Sequence, residues 1–259
     1  MTDDLTFPTG APIWVDLSSS DVAASRAFYE ALFGWTSTDT GPEYGNYVVF
    51  SLGDKQVGGL IGRQEPAEAP DAWLVYLETD DAETTSEAVT GAGGVVLSGP
   101  HPVGSLGSMV IATDVDRATV GAWQRGDNRG IQARGEVGTP AWFELHTTQY
   151  DDSLQFYQQA FGWQTVSMAG SPEFRYTQLM VDDEPYAGVM DASGYWPAGD
   201  PAAWVVYFRV ADADAAAARA VELGGSVVEA PTDTPFGRLA TLTDVTGATI
   251  KLIEGGPNA

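Results

Sequence analysis

The chain has 259 residues, of which 44% are apolar and 11% aromatic, and its formal net charge is -24. This charge repels phosphate groups and argues against nucleic acid as a partner, and the absence of cysteine excludes disulfides and thiolate chemistry. No apolar run reaches the ~20 residues of a membrane-spanning helix and no signal peptide is evident, so a cytoplasmic protein without membrane contact is expected.

Predicted strands and helices alternate in the first half. Residues 12–18 alternate between apolar and polar side chains, which predicts a strand, and Asp21 is placed to cap a helix that ends at Gly34. A strand at 73–79 then leads into a second helix over 81–91. The other strands are expected at 45–52, 57–62, 94–98, 107–113 and 118–124.

The second half repeats the first. Trp14, for example, recurs as Trp142, and neighbouring aromatic residues recur at the same offset of 128 positions. Between the repeats, the polar and glycine-rich stretch 126–138 is typical of a linker. We therefore predict a first domain over residues 1–125 and a second over residues 139–259.

Three short motifs carry a resemblance to a known family. They are Phe28-Tyr29 on the first helix, Leu32-Phe33-Gly34-Trp35 at its end, and Asp114-Val115-Asp116-Arg117-Ala118 before the last strand, with counterparts at Phe156-Tyr157, Ala160-Phe161-Gly162-Trp163 and Asp244-Val245-Thr246-Gly247-Ala248. Their order and spacing resemble the glyoxalase/bleomycin resistance protein/dioxygenase superfamily, also called vicinal oxygen chelate proteins. The resemblance implies an α+β fold of two tandem glyoxalase-like domains, each made of two βαβββ modules that curl around a cavity.

The metal ligands of that family are replaced in both repeats. Enzymes of the family hold a divalent metal through a His on the first strand, a His or similar residue on the fifth strand and a Glu on the last strand. The corresponding positions here are Trp14 and Trp142, Leu74 and Val205, and Gly121 and Lys251. Because none of these offers the imidazole or carboxylate that such metals bind, neither a metal nor another cofactor is expected, and glyoxalase or dioxygenase chemistry is not expected either.

Strand alternation predicts which side chains face the cavity instead. The expected ligand-binding residues are Trp14, Asp16, Tyr76, Glu78, Trp123, Trp142, Glu144, His146, Tyr207, Arg209 and Lys251. Aromatic stacking faces with a few charges are typical of a small-molecule pocket. Glu144, His146, Asp16 and Arg209 are the candidates for acid-base catalysis. In the plainer interpretation the tryptophans fill space in a core and His146 is structural, while His101 is expected in an exposed loop.

Two arrangements of these residues are open, because each site could form within one repeat or across both. We favour the crossed arrangement, in which Asp16 faces Arg209 and Lys251, because buried charges seek partners. One pocket would then be basic, and the other, with Glu78, Glu144 and His146, would be acidic.

The sequence therefore predicts a metal-independent protein that binds a small, planar or apolar organic molecule, as the bleomycin resistance branch of the family does by sequestration. An isomerase, a lyase or an accessory enzyme of an oxygenation step in secondary metabolism is the alternative, and a structural tandem module with a closed cavity is a third. Because both repeats lie in one chain, the site does not require an oligomer.

Overall fold

A computed structural model describes residues 5–63, 70–168, 174–181, 183–196 and 199–255. The first half contains β1 (Pro12–Ser19), α1 (Val22–Phe33), β2 (Thr36–Asp39), β3 (Val48–Leu52), β4 (Lys55–Gly62), β5 (Ala72–Thr79), α2 (Ala82–Gly91), β6 (Val95–Pro102), β7 (Gly107–Thr113) and β8 (Thr119–Arg125). The second half contains β9 (Pro140–Thr147), α3 (Tyr150–Phe161), β10 (Thr165–Met168), β11 (Tyr176–Val181), β12 (Glu184–Asp191), β13 (Ala203–Val210), α4 (Ala213–Glu222), β14 (Ser226–Thr234), β15 (Gly237–Thr243) and β16 (Thr249–Glu254). Within the described ranges, no helix combines the length and apolarity needed to cross a membrane.

Each half folds into one mixed eight-stranded sheet. The strand order is β2-β3-β4-β1-β5-β8-β7-β6 in the first sheet, and the second sheet repeats it as β10-β11-β12-β9-β13-β16-β15-β14. β1 lies antiparallel to β5 and parallel to β4, so two βαβββ modules join along the centre of each sheet. The predicted α+β fold of two tandem domains, each made of two βαβββ modules, is confirmed.

Local chemistry explains where the long helices begin and end. The side chain of Asp21 accepts a hydrogen bond from the backbone N–H of Ala24 at 3.0 Å and so caps α1. Gly34 ends α1 in the left-handed conformation with a φ of 71°, which a residue without a Cβ adopts without strain. Gly162 ends α3 in the same way. The boundaries predicted for α1 from Asp21 and Gly34 are confirmed.

Two sequence predictions were incomplete or wrong in this part of the chain. Strand β2, with the sequence Thr-Ser-Thr-Asp, was missed because it is entirely polar and shows no alternation; in the structure it pairs antiparallel with β3. His101 lies on β6, opposite Met109, and not in a loop, although it is exposed as expected.

The two halves share one continuous core, and tyrosines on their first helices cross between them. The hydroxyl of Tyr29 accepts a hydrogen bond from Trp73 in its own half and donates one to Asp244 of the other half, at 2.9 and 3.0 Å. In the second half, Tyr157 donates to Asp114 of the first half at 3.1 Å. All of these side chains are buried, so each domain completes the polar pairing of the other.

The segment 126–138 is tightly packed. The N–H of Ile131 donates to the carbonyl of Ile13 at 2.9 Å, and the N–H of Gln132 donates to the carbonyl of Gln56 at 2.7 Å. The indole of Trp35 donates to the carbonyl of Gly138 at 2.6 Å. The connection between the halves therefore forms part of the first domain's packing.

One of the crossing contacts predicts a pH dependence of stability. Burial raises the pKa of Asp114 to about 6, so the folded protein binds a proton here more tightly than the unfolded chain does. Stability from this group should therefore be lost as the pH rises from about 4 to about 6, by roughly 2–3 kcal/mol. Comparing the unfolding free energies of the parent and Asp114→Asn across this range isolates the contribution, and a constant difference between them would contradict it.

Candidate functional site

In the first domain, an indole and two tyrosines surround a carboxylate; Trp14, Asp16, Tyr47 and Tyr76 are called here the first-domain site. Trp14 lies opposite Tyr76 on adjacent strands β1 and β5. The indole N–H of Trp14 is 2.7 Å from Oδ1 of Asp16 and 2.8 Å from the hydroxyl of Tyr47. Tyr47 donates to the same oxygen of Asp16, and the hydroxyl of Tyr76 also interacts with this carboxylate.

The second domain repeats this constellation with a longer acid; Trp142, Glu144, Tyr176 and Tyr207 are called the second-domain site. Tyr207 donates to Oε1 of Glu144 at 2.7 Å, and Tyr176 donates to Oε2 at 2.8 Å. The indole of Trp142 in turn donates to the hydroxyl of Tyr176 at 2.9 Å. The duplicated element is therefore a Trp–carboxylate–Tyr–Tyr cluster, although neither Tyr47 nor Tyr176 was predicted.

Glycines on the neighbouring strands make room for the unpredicted tyrosines. A Cβ on Gly59 would overlap the hydroxyl of Tyr47, and a Cβ on Gly188 would overlap the hydroxyl of Tyr176. A signal for both tyrosines was present in the sequence, because they match each other in the register of the repeat.

The two carboxylates have opposite protonation tendencies. Burial raises the pKa of Asp16, and its hydrogen bonds from Tyr47 and Trp14 only partly compensate. Burial also acts to raise the pKa of Glu144, but the nearby His146 and the two tyrosine hydroxyls outweigh it, so the pKa of Glu144 is lowered. Since both residues occupy the same place in their domains, the difference comes from their surroundings.

His146 extends the second-domain site towards solvent. Its Nε2 is 2.7 Å from Oε1 of Glu144, although the ring is not aligned for a regular hydrogen bond, and its Nδ1 is 2.9 Å from the hydroxyl of Tyr195. The ring of Trp196 lies 5.7 Å from the imidazole. The first domain has Ser18 at the position of His146, so this extension exists in one domain only.

An apolar cluster accompanies the second-domain site. This cluster is separate from the main core and consists of Val205, Tyr207 and Ile253. The partly exposed Trp142 and Leu239 pack against it. In the first domain, Trp14, Tyr76 and Trp123 belong to the main core instead. At the rim of the separate cluster, the ammonium of Lys251 lies 5.5 Å from the centroid of the Tyr207 ring, within reach of a cation–π interaction.

The crossed arrangement predicted from the sequence is wrong. Trp14 and Asp16 pair along the sheet with β5 of their own half, and Trp142 and Glu144 pair with β13 of theirs. Tyrosine and indole donors satisfy Asp16, so it needs no cationic partner. The predicted division into one basic and one acidic pocket fails for the same reason.

Three predicted site residues lie apart from these clusters. Glu78 forms an ion pair with Arg125 at 2.9 Å. Trp123, beside Glu78 on the adjacent strand, donates its indole N–H to the carbonyl of Asn128 at 3.1 Å. Arg209 is partly exposed, and within the described part of the chain its Nε has no hydrogen-bond partner, so it pairs with neither Asp16 nor Glu78.

The side chains of each site are joined to one another by hydrogen bonds. Two clefts of about 270 and 440 Å³ lie elsewhere on the molecule. The smaller is lined by Glu78, Thr79, Asp80, Gln124, Arg125 and Arg129, and the larger by Tyr150, Asp151, Leu154, Thr165, Ser167, Met168, Phe174, Arg175 and Thr177. Neither cleft is lined by a residue of the first-domain or the second-domain site.

The residues present do not fit a divalent metal. At the family's ligand positions the structure has indoles, aliphatic side chains, a glycine and a lysine, and the oxygens of Asp16 and Glu144 already accept hydrogen bonds from hydroxyl and indole groups. In the described ranges, no three His, Asp or Glu side chains come together. We therefore derive no chemical step through a metal.

Fold and site together define a tandem βαβββ protein with a hydroxyl-bound carboxylate in each domain. A family model of the Glyoxalase/Bleomycin resistance protein/Dioxygenase superfamily matches residues 12–121 and 139–252. The chain belongs to this superfamily.

Relatives and solved structures agree with this assignment. The chain is 37% identical over 270 residues to the anthracycline biosynthesis protein DnrV of Streptomyces peucetius, covering 98% of this chain and 97% of DnrV. It is also 37% identical over 262 residues to the anthracycline biosynthesis protein DauV of Streptomyces sp., covering 96% and 94%. The Mn(II)-bound glyoxalase from Novosphingobium aromaticivorans superposes with a TM-score of 0.65 at 16% identity, over 95% of this chain and 82% of that one, which shows the shared fold alone.

Proposed function

We propose that the protein binds a planar, largely apolar organic molecule at the second-domain site, without a metal, and so sequesters or presents it. The observation that carries this proposal is the apolar cluster around Tyr207 and the partly exposed Trp142, which is separate from the core. Apolar and aromatic groups beside a few fixed polar groups are typical of small-molecule sites. The names of the anthracycline biosynthesis proteins DnrV and DauV support a planar polycyclic ligand, and as names of biosynthesis proteins they favour the second candidate below over sequestration.

The test uses 2-hydroxyanthraquinone as a planar probe, titrated into the protein by calorimetry. Truncating the stacking surface in Trp142→Ala is expected to weaken binding by about tenfold, because a buried aromatic anchor commonly contributes 1–2 kcal/mol. The matched control is Trp14→Ala in the first-domain site, which should leave the affinity unchanged while circular dichroism shows both variants folded. Equal affinities for the parent and Trp142→Ala would contradict the proposal.

A second candidate is an enzyme that isomerises, cleaves or helps oxygenate a secondary metabolite. The buried contact between Glu144 and His146 favours it, because a carboxylate next to an imidazole can transfer protons. Product analysis after incubation with the probe separates the two candidates, since a binding protein returns the probe unchanged.

A further inference from the structure

The phenol side chain of Tyr195 contacts the imidazole of His146. Its hydroxyl is 2.9 Å from Nδ1, and its ring meets the imidazole edge-on with centroids 6.1 Å apart. His146 itself is only 3% exposed, so this hydroxyl occupies the outward nitrogen of a buried ring.

The surroundings of Nε2 of His146 determine whether Nδ1 donates or accepts a hydrogen bond. Nε2 lies 2.7 Å from the carboxylate of Glu144, and although this contact is not aligned as a regular hydrogen bond, a carboxylate can only accept protons and so favours a proton on Nε2 over one on Nδ1. With a proton on Nε2, the lone pair of the ring lies on Nδ1. A hydroxyl donor is the natural partner for this position.

Tyr195 is held loosely in comparison. It is 59% exposed and lies in a turn after β12, where its N–H donates to the carbonyl of Ala192 at 3.0 Å. Its ring contacts aromatic rings only at His146 and Trp196 within the described residues. Removing this phenol from the imidazole therefore exposes little apolar surface.

We propose that the ligand of the second-domain site carries a phenolic hydroxyl, which displaces Tyr195 and donates its own hydrogen bond to Nδ1 of His146. This inference rests on the proposed function and names the ligand class within it. The planar remainder of the ligand would stack towards Trp142 and the apolar cluster. The first domain has Ser18 in place of His146 and so offers no imidazole there, and we expect one ligand per chain.

The surroundings select the neutral form of the phenol. Burial, followed by the charges of Glu144, Glu229 and Asp191, raises the pKa of Tyr195. A ligand phenol in the same position is subject to the same charges. Affinity should therefore fall as the pH rises through the probe's own phenol pKa.

The experiment compares 2-hydroxyanthraquinone with 2-methoxyanthraquinone, which has the same ring system but no hydroxyl donor. The parent should prefer the hydroxy probe by about fivefold to tenfold, the value of one buried hydrogen bond. His146→Phe should abolish this preference. Tyr195→Phe should tighten both probes about threefold or more, because neither then has to displace a hydroxyl from Nδ1, whereas the control Tyr44→Phe, at an exposed tyrosine of the first domain, should change neither affinity.

A direct readout avoids dependence on the stability of His146→Phe. The chain has 2 histidines, so His101→Gln leaves His146 as the only source of imidazole signals in nitrogen-15 NMR. The two probes should move the Nδ1 resonance differently, because only the hydroxy probe gives Nδ1 a new hydrogen-bond donor. Equal affinities for both probes with equal Nδ1 shifts would overturn the phenol site while leaving the binding function intact. Failure of both probes to bind either the parent or Tyr195→Phe would overturn both proposals.

Discussion

Replacing Glu144 by glutamine is expected to destabilise the protein, whereas replacing Asp16, its counterpart in the first domain, by asparagine is expected to stabilise it. The pKa of Glu144 is lowered in the folded state, so its charge contributes stability that is present at neutral pH and is lost as the pH falls through that pKa. Breaking its contact with His146 leaves buried groups unpaired, which costs about 3 kcal/mol.

The change in stability expected from neutralising Asp16 has the opposite sign. The pKa of Asp16 is raised by burial, so folding disfavours the charged form, and a neutral amide of the same shape removes that penalty. We expect a gain on the order of 1 kcal/mol at pH 7 that shrinks as the pH is lowered and Asp16 itself becomes protonated. Urea denaturation at several pH values measures both variants, and shifts of the same sign would show that the two carboxylates are equivalent after all.

The second large effect is expected from Gly188→Ala. The added Cβ has to move the hydroxyl of Tyr176, which then leaves both Glu144 and Trp142 with a lost partner. Overpacking together with a lost buried hydrogen bond should cost about 3–5 kcal/mol. Gly59→Ala is the equivalent change against Tyr47 and should cost a similar amount.

Gly91→Ala serves as the control for both glycine variants. It lies at the end of α2 with nothing within 4 Å of the new Cβ, so its stability should change little. Thermal unfolding of the three variants is the measurement. A Gly188→Ala protein as stable as the control would mean that Tyr176 can leave Glu144 at no cost.

The sequence was sufficient for the elements that depend on local chemistry. Aspartate caps, terminal glycines and the internal repeat predict the helices and the order of the modules, because each acts within a few residues or through a fixed register. The alternation of side chains along a strand likewise places Trp14 and Asp16 on the same face of β1, and Trp142 and Glu144 on the same face of β9. The pairing of these faces could not be predicted, because only the hydrogen-bonded register of the sheets decides between partners in the same half and in the other half.

The argument from buried charge failed for a related physical reason. The prediction assumed that Asp16 needed a cation as its partner. In the structure, indole and phenol groups donate hydrogen bonds to its carboxylate and add no second charge to the interior. Tyr195 was missed because it lies in a turn outside any periodic pattern, and only folding brings it to His146, 49 positions away.

The tyrosines that cross between the halves determine how the molecule can come apart. A separately expressed half would leave Asp114 or Asp244 without the tyrosine hydroxyl that donates to it. It would also expose to water the aromatic rings that pack between the halves. The ring of Phe208, for example, lies 5.0 Å from the ring of Phe33 and 5.6 Å from that of Trp35 in the other half, measured between centroids. We therefore expect the two halves to fold and unfold together as one cooperative unit.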